Sequence, residues 1–237
     1  MMAAEPEYIQ TSGFIAEVIR TPRRKTATIK VDDRVVSIVV PQDLNEQRIT
    51  RLLKDKNRWI KDKIAAQKAV APARQKQFVS GEAFSYLGRN YRLKVKRGAY
   101  QPVKLLQGRL VATLPHGADN PHMVRNALVR WYQLQAEPKL REKTTRLAKQ
   151  IAVQPTDVNI KTYKSRWGNC NSKGQIVYNW KIVMAPHWVV DYVVVHELCH
   201  LKHFNHSKDY WRKVKHHCAD AVDAKEWLRV NGGIINI

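Results

Sequence analysis

The feature that most constrains the fold is the pentapeptide His196-Glu197-Leu198-Cys199-His200. On an α-helix, residues four positions apart lie on one face, with their Cβ atoms about 6 Å apart. On a strand, the same two histidines would lie about 13 Å apart, which is too far for them to bind one metal ion. If the two imidazoles act together, this segment must therefore be helical.

The spacing is typical of zinc-binding helices in which both histidines ligate the ion. Glu197 lies about 100° around such a helix from His196, so it can sit beside the ion without binding it. There it can accept a proton from a water whose pKa the metal lowers towards about 7. The alternative interpretation is a pair of helical histidines with ordinary hydrogen bonds.

A catalytic zinc usually takes three protein ligands, and the sequence offers several candidates for the third. His203 lies on the same helical face, but a third side chain from one straight helix cannot easily close around an ion. His206 follows an asparagine, a common helix terminator, so a chain that turns there could bring His206 back to the metal. Spacing favours His206 but leaves open the carboxylates Glu226, Asp209 and Asp220.

The hydrophobic pattern elsewhere predicts both helices and strands, with no internal repeat. Helices are predicted at residues 43–69, with a basic outer face, and at 120–151, with a break before Pro138. The apolar run 188–195 follows Pro186, and its length and this proline favour a buried helix over a strand. Strands are predicted at residues 14–19, 27–31, 35–40, 83–87, 91–95, 103–106, 110–114, 158–163 and 176–180.

Residues 70–80 have the composition of a linker. They form the end of an N-terminal β-rich region with a basic helix and linker (residues 1–80). The region that carries the histidines follows (residues 81–237). The net charge of +22 is uneven, because residues 51–100 hold 14 Lys or Arg against three acidic residues. This basic N-terminal region could bind nucleic acid, although a solvated basic face is the simpler interpretation.

The remaining composition predicts a cytoplasmic protein. No run of about 18 apolar residues is present, so we expect no membrane span, and the N-terminus lacks the pattern of a secretory signal. The three cysteines, Cys170, Cys199 and Cys218, do not suggest a disulfide framework. The Cys170 thiolate could bind the zinc and keep the enzyme inactive until it is displaced. A small buried residue beside the helix is the simpler interpretation of Cys170.

Several segments together resemble the YgjP-like metallopeptidases, which are similar to the SprT and WLM groups of compact zincins. The resemblance is closest from Arg166 to Trp211, and it is looser over the N-terminal strands. Asn169 departs from the family pattern, which more commonly has serine there. The matching residues are Tyr192 to Leu201, Asn205-His206-Ser207, Tyr210-Trp211, Arg166-Trp167-Gly168-Asn169-Cys170, Gly174, Asn179 and Met184-Ala185-Pro186.

The resemblance implies a minimal α+β zincin over residues 81–237, in which His196, His200 and His206 bind Zn²⁺ and Glu197 is the general base. It also implies a peptide or protein substrate. The strand region between Trp167 and Asn179 would lie over the cleft, where an edge strand can pair with an extended substrate.

Two other functions remain open from the sequence. One is a zinc-dependent hydrolase of a nucleotide or another phosphate substrate, although no glycine-rich phosphate loop is present. The other is a non-catalytic zinc-containing module that binds nucleic acid. A closed structural zinc site needs a fourth protein ligand and no base, so Glu197 argues against this second alternative.

Overall fold

The computed structural model describes residues 7–22, 26–32, 35–69, 76–116, 120–233, 235 and 237. The chain divides into two units, Met1–Pro72 and Ala73–Ile237. Each unit has a hydrophobic core cluster of its own. The predicted fold class, α+β, is confirmed by mixed sheets combined with six α-helices among the described residues. Of the predicted linker, residues 70–75 lie outside the described residues.

The first unit contains a four-stranded sheet in the order β1-β2-β4-β3. Its central strands β2 and β4 run parallel, and both outer pairs are antiparallel. Ile38 of β4 shares one core cluster with Ile49 and Ile60 from the two helices that follow. The elements are β1 (Glu7–Thr11), β2 (Phe14–Thr21), β3 (Thr28–Asp32), β4 (Val35–Pro41), α1 (Glu46–Asp55) and α2 (Asn57–Ala69).

The prediction of one helix over residues 43–69 is wrong in its length and continuity. Asn45 caps α1, and its side-chain oxygen accepts a hydrogen bond from the backbone N–H of Arg48 at 3.0 Å. The helix ends at Asp55, and the next residue, Lys56, has a φ of −100° and a ψ of 6°, outside the helical region. No glycine or proline marks this break, but asparagine favours a helix start, and α2 begins at Asn57.

The second unit opens with a sheet in the order β5-β6-β8-β7. Its central pair is again parallel and its outer pairs are again antiparallel. The first unit therefore has the same topology, a structural repeat that our sequence prediction of no internal repeat missed. The strands are β5 (Ala83–Tyr86), β6 (Arg89–Arg97), β7 (Gln101–Leu106) and β8 (Arg109–Leu114).

Both hairpins of this sheet turn on a residue pair that ends in glycine. Leu87 and Gly88 have φ values of 49° and 85°, and Gln107 and Gly108 have values of 47° and 72°. Positive φ at both central residues is the geometry of a type I′ turn, which matches the twist of adjacent strands. The first turn therefore lies at Leu87-Gly88, so Leu87, predicted as the last residue of a strand, belongs to the turn.

Helix α3 spans Pro121–Ile151 without interruption. The predicted break before Pro138 is wrong. A proline inside a helix leaves the carbonyl four residues earlier without its N–H partner. That carbonyl belongs to Leu134, whose side chain is 67% exposed, so it lies on the solvent side of the helix.

The remaining elements form the C-terminal part of the second unit. A three-stranded sheet has the order β10-β11-β9, so β10 lies at one edge. The helix predicted after Pro186 is confirmed as α4, with nine buried residues. None of the described helices is both long and apolar enough to cross a membrane. The elements are β9 (Asp157–Lys161), β10 (Gly168–Cys170), β11 (Gln175–Asn179), a 3-10 helix (Trp180–Met184), α4 (His187–Cys199), α5 (Lys208–His217) and α6 (Ala221–Asn231).

We expect residues 73–237 to fold without the first unit, because their core cluster contains only residues from Phe78 onwards. The fragment should unfold in one cooperative thermal transition, with a Tm within about 4 °C of the matching transition in the full chain. Circular dichroism would measure the thermal transitions of the fragment and of the full chain. A control fragment that starts at residue 90 loses the buried Phe84, Tyr86 and Leu87 and should not fold. An unfolded 73–237 fragment beside a folded full chain would contradict the expectation.

Candidate functional site

Helix α4 is apolar around most of its circumference. Val189, Val190, Val194 and Leu198 are fully buried. A helix that is hydrophobic on nearly all sides belongs in a protein interior, where its neighbours fix its position. Its last turn is therefore held rigidly, and that turn carries the polar residues His196 and Glu197.

The two histidines of the pentapeptide lie on one face, as the spacing predicts. His196 is in the last turn of α4, and His200 is the C-cap residue, still helical at φ −66° and ψ −19°. Their ring centroids are 5.0 Å apart. Nδ1 of His200 lies 3.0 Å from the carbonyl oxygen of His203. With Nδ1–H donating to that oxygen, Nε2 of His200 keeps a free lone pair.

His206 reaches the same point from the segment between α4 and α5. Its Nε2 lies 3.3 Å from Nε2 of His196. The candidate ligand nitrogens of His196, His200 and His206 all lie within 4.8 Å of one another. Two nitrogens bound at about 2.05 Å to one tetrahedral zinc are separated by about 3.3 Å. The cluster thus has the dimensions of a three-histidine metal site.

Helix α5 holds these imidazoles in place through two aromatic residues. The Tyr210 ring stacks on His200 with the centroids 4.6 Å apart, and the Trp211 ring stacks on His206 at 5.7 Å. The Tyr210 hydroxyl also donates a hydrogen bond to the carbonyl oxygen of His196 at 3.1 Å. Trp211 also packs against the core cluster. The contribution of Tyr210 was not predicted from the sequence.

The position of Tyr210 follows from the cap of α5. The Ser207 hydroxyl accepts a hydrogen bond from the backbone N–H of Tyr210 at 3.3 Å, which starts the helix directly after His206. Residues three and four positions after a cap lie in the first turn. A serine cap next to His206, followed by Tyr210 and Trp211, is therefore the sequence signal that could have revealed the aromatic support.

The imidazole of His196 lies in an environment that disfavours a proton. Burial, together with the charges of His200, His206 and Lys225, lowers the pKa of His196 to about 3. The ring is consequently neutral at physiological pH, and a neutral ring nitrogen can bind a metal. Nδ1 of His196 is buried and has no hydrogen-bond partner among the described residues, in contrast to Nδ1 of His200.

Glu197 is 5% exposed and lies against the backbone of the edge strand β10. A Cβ atom added to Gly168 would lie 2.5 Å from Oε1 of Glu197 and 2.7 Å from its Cγ. Only glycine allows this approach without displacement. Burial raises the pKa of Glu197 to about 8, and the charge of Arg166 opposes this rise. The buried carboxylate therefore binds a proton more tightly than an exposed glutamate does.

Asn179 fixes the segment that leads into β10. Its side-chain amide donates to the carbonyl oxygens of Tyr163 and Arg166, both at 3.1 Å. Its backbone N–H donates to the carbonyl oxygen of Trp167 at 2.8 Å. Asn179 is 3% exposed, so breaking these bonds would leave polar groups buried without partners. From the sequence, Asn179 was only one of the residues that carry the family resemblance, and its positioning role was not predicted.

The other candidate ligands lie outside the cluster. Among the described residues, the group of His, Cys, Asp and Glu side chains close enough to share a metal ion consists of His196, His200 and His206. Glu226 instead pairs with Arg229, and Asp209 pairs with Arg212. The Cys170 thiol is not part of the group, and burial raises the pKa of Cys170 to about 11.

Three comparisons place these features among known proteins. A family model described as "YgjP-like, metallopeptidase domain" matches residues 25–231. The chain is similar to the metallopeptidase zymogen of Pyrococcus abyssi abylysin, known from a crystal structure, with 23% identity and a TM-score of 0.33. That match covers 37% of this chain and 86% of the other. The comparison with curated proteins finds no match.

We expect Gly168→Ala to disturb the contact between β10 and Glu197, because the added methyl group overlaps the carboxyl group. Overpacking of this kind costs about 1–3 kcal/mol, which lowers the Tm of a chain of this size by several degrees. Differential scanning calorimetry would measure the loss.

Gly233→Ala is the matched control, because its Cβ would meet nothing within 4 Å. If both variants unfold at the temperature of the wild type, the carboxyl group moves aside at no cost and the close approach is not a constraint.

Proposed function

This chain belongs to the YgjP-like metallopeptidase family, whose model spans residues 25–231, and from that membership we propose that it is a zinc peptidase with His196, His200 and His206 as ligands. Membership makes the protein a metal-dependent peptidase that acts on peptide substrates. The identity of the metal, the residues that bind it and the roles of the neighbouring groups are the content of the proposal.

The observation that carries the proposal is the convergence of three imidazoles beside one buried carboxyl group. A set of three histidines suits zinc and leaves a fourth position open. The 3.3 Å separation of the two Nε2 atoms matches that expected around a tetrahedral ion. When bound, zinc supplies two effects, the acidification of a coordinated water and the polarisation of the substrate carbonyl group.

Glu197 acts as the general base in this proposal. Its carboxylate takes a proton from the attacking water and then passes it to the nitrogen of the leaving amine. Its burial against Gly168 excludes bulk water from one side and supports a raised proton affinity. The charge of Arg166 opposes this rise.

Strand β10 orients the substrate in the proposal. It lies at the edge of its sheet and adjoins Glu197 through Gly168. An extended peptide can add to such an edge through backbone hydrogen bonds. Asn179 supports this role, because it holds the segment on which the position of β10 depends.

A cytoplasmic location is part of the same proposal. All three cysteines are free thiols, as expected in a reducing compartment.

Removal of the third ligand should release the metal. We expect about one zinc per chain in the wild type and in Glu197→Gln, and much less in His206→Ala, because two imidazoles bind zinc more weakly than three. Mass spectrometry of metals in purified protein measures the content. Glu197→Gln should also lower peptide cleavage by about 10²–10⁴-fold, since general-base catalysis contributes about that factor.

His203→Ala is the matched control, because His203 contributes its backbone carbonyl group to His200 and its ring is outside the cluster. Zinc loss in His203→Ala with retention in His206→Ala would overturn the proposed ligand set. Nucleotides tested in parallel with peptides, with and without chelator, would show whether the alternative phosphate substrates are hydrolysed instead.

The basic helices of the first unit support a second, separate proposal of nucleic-acid binding. Arg51, Lys54, Arg58 and Lys61 are all exposed on α1 and α2. Charge neutralisation of several phosphates gives an affinity that falls steeply with salt.

We expect the fourfold substitution of these residues by glutamine to weaken binding to a DNA duplex, measured by fluorescence anisotropy at about 50 mM salt, by about tenfold or more. Equal affinity of the variant and the wild type, or no binding by either, would show that this face is merely solvated.

A further inference from the structure

A groove of about 710 Å³ lies against His206 and is lined by residues of α5 and α6. Four of its lining residues are cationic, and Trp211 and Val222 provide apolar surface. None of the described residues that line it is acidic. The four cations are Lys208, Arg212, Lys215 and Lys225.

The positive charge of this groove is largely uncompensated. Arg212 forms an ion pair with Asp209 at 2.6 Å. On α6, Glu226 forms its ion pair with Arg229 rather than with a lysine of the groove. Within the described part of the chain, Lys208, Lys215 and Lys225 have no ion pair with a carboxylate. Three ammonium groups are thus available to a ligand.

The Trp211 ring connects this charge to the histidine cluster. Nζ of Lys225 lies 4.7 Å from the ring centroid, and the His206 imidazole stacks on the same ring at 5.7 Å. An aromatic surface beside an ammonium group suits a side chain with methylene groups and a terminal carboxylate. Glutamate and aspartate have this chemistry.

The geometry points to a substrate subsite that binds an acidic side chain of the peptide near the bond to be cleaved. This inference rests on the proposed function, because His206 is both a proposed zinc ligand and part of the groove wall. An extended peptide advances about 3.3 Å per residue, so a residue one to three positions from the reacting carbonyl group reaches the groove. The substrate class is therefore peptides with Glu or Asp close to the scissile bond.

The shape of the groove favours a peptide over a nucleic acid. A single aromatic ring and a short row of lysines match one or two carboxylates, whereas a polynucleotide is bound along an extended basic track. The apolar Val222, which is 61% exposed, also suits a peptide side chain better than a phosphate backbone.

Cleavage provides the first test. A mixed peptide library, analysed by mass spectrometry, should show Glu or Asp enriched near the cleaved bonds of the wild type. For the best sequence, the glutamate peptide should have a kcat/KM about tenfold higher than its glutamine counterpart. Lys215→Gln combined with Lys225→Gln should remove this preference for the glutamate peptide, at about threefold per lysine. Lys149→Gln, on the exposed end of α3, is the matched control and should leave the kcat/KM of both the glutamate and the glutamine peptide unchanged.

Binding provides a test that does not depend on turnover. A labelled decapeptide with three central glutamates should bind the zinc-loaded Glu197→Gln protein about tenfold more tightly than the glutamine version, in a salt-dependent manner. The double lysine variant, made in the same background, should bind both peptides equally weakly.

Failure of the proposed peptidase function can be distinguished from failure of the inference about the groove. Absence of any peptide cleavage by the wild type would refute the proposed function, while the binding of the labelled decapeptides would still decide whether the groove binds acidic peptides. Equal binding of the glutamate and glutamine peptides, or complete displacement by a short oligonucleotide at equal concentration, would overturn the inference about the groove.

Discussion

Helix α4 has almost no solvated face, and this constraint decides where polar groups of the site can lie. Its apolar residues pack in the main core cluster of the second unit. The one charged residue in its middle, Asp191, is neutralised by Lys143 at 2.7 Å, as a charge at such a position must be. The histidines and Glu197 are tolerated because they occur where the helix ends. The chain then turns, and His206 and the aromatic residues of α5 close the cluster from outside.

A second constraint is the closeness of a strand backbone to the carboxyl group of Glu197. Gly168 leaves room for it, and Asn179 holds the preceding segment with three hydrogen bonds to backbone groups. The environment of Glu197 is therefore set by residues far from it in sequence. Its raised pKa is a property of the packing of β10 on α4 rather than of the pentapeptide itself.

The sequence predicted the parts of the structure that depend on local pattern. Most strands, the buried helix after Pro186 and the shared face of His196 and His200 follow from periodicity and spacing. The break at Lys56 and the uninterrupted course of α3 through Pro138 could not be predicted, because packing rather than a local signal decides them. Tyr210 was missed for a similar reason, since its contacts with the two histidines of α4 cross a turn of the chain. The repeated sheet topology left no mark in the sequence because it lies in the pairing of strands and not in their residues.

That repeated topology has a consequence for the order in which the protein folds. In each four-stranded sheet the central pair joins segments only about twenty residues apart, as in the pairing of Ala16 with Val36 and of Leu93 with Leu110. Contacts between segments close in sequence form quickly, since little chain entropy is lost in closing the intervening loop. During synthesis, both sheets are complete before the ribosome has made α4. Helix α4 packs on α3 and β10, and His206 follows it in the chain, so the histidine cluster is assembled after both four-stranded sheets.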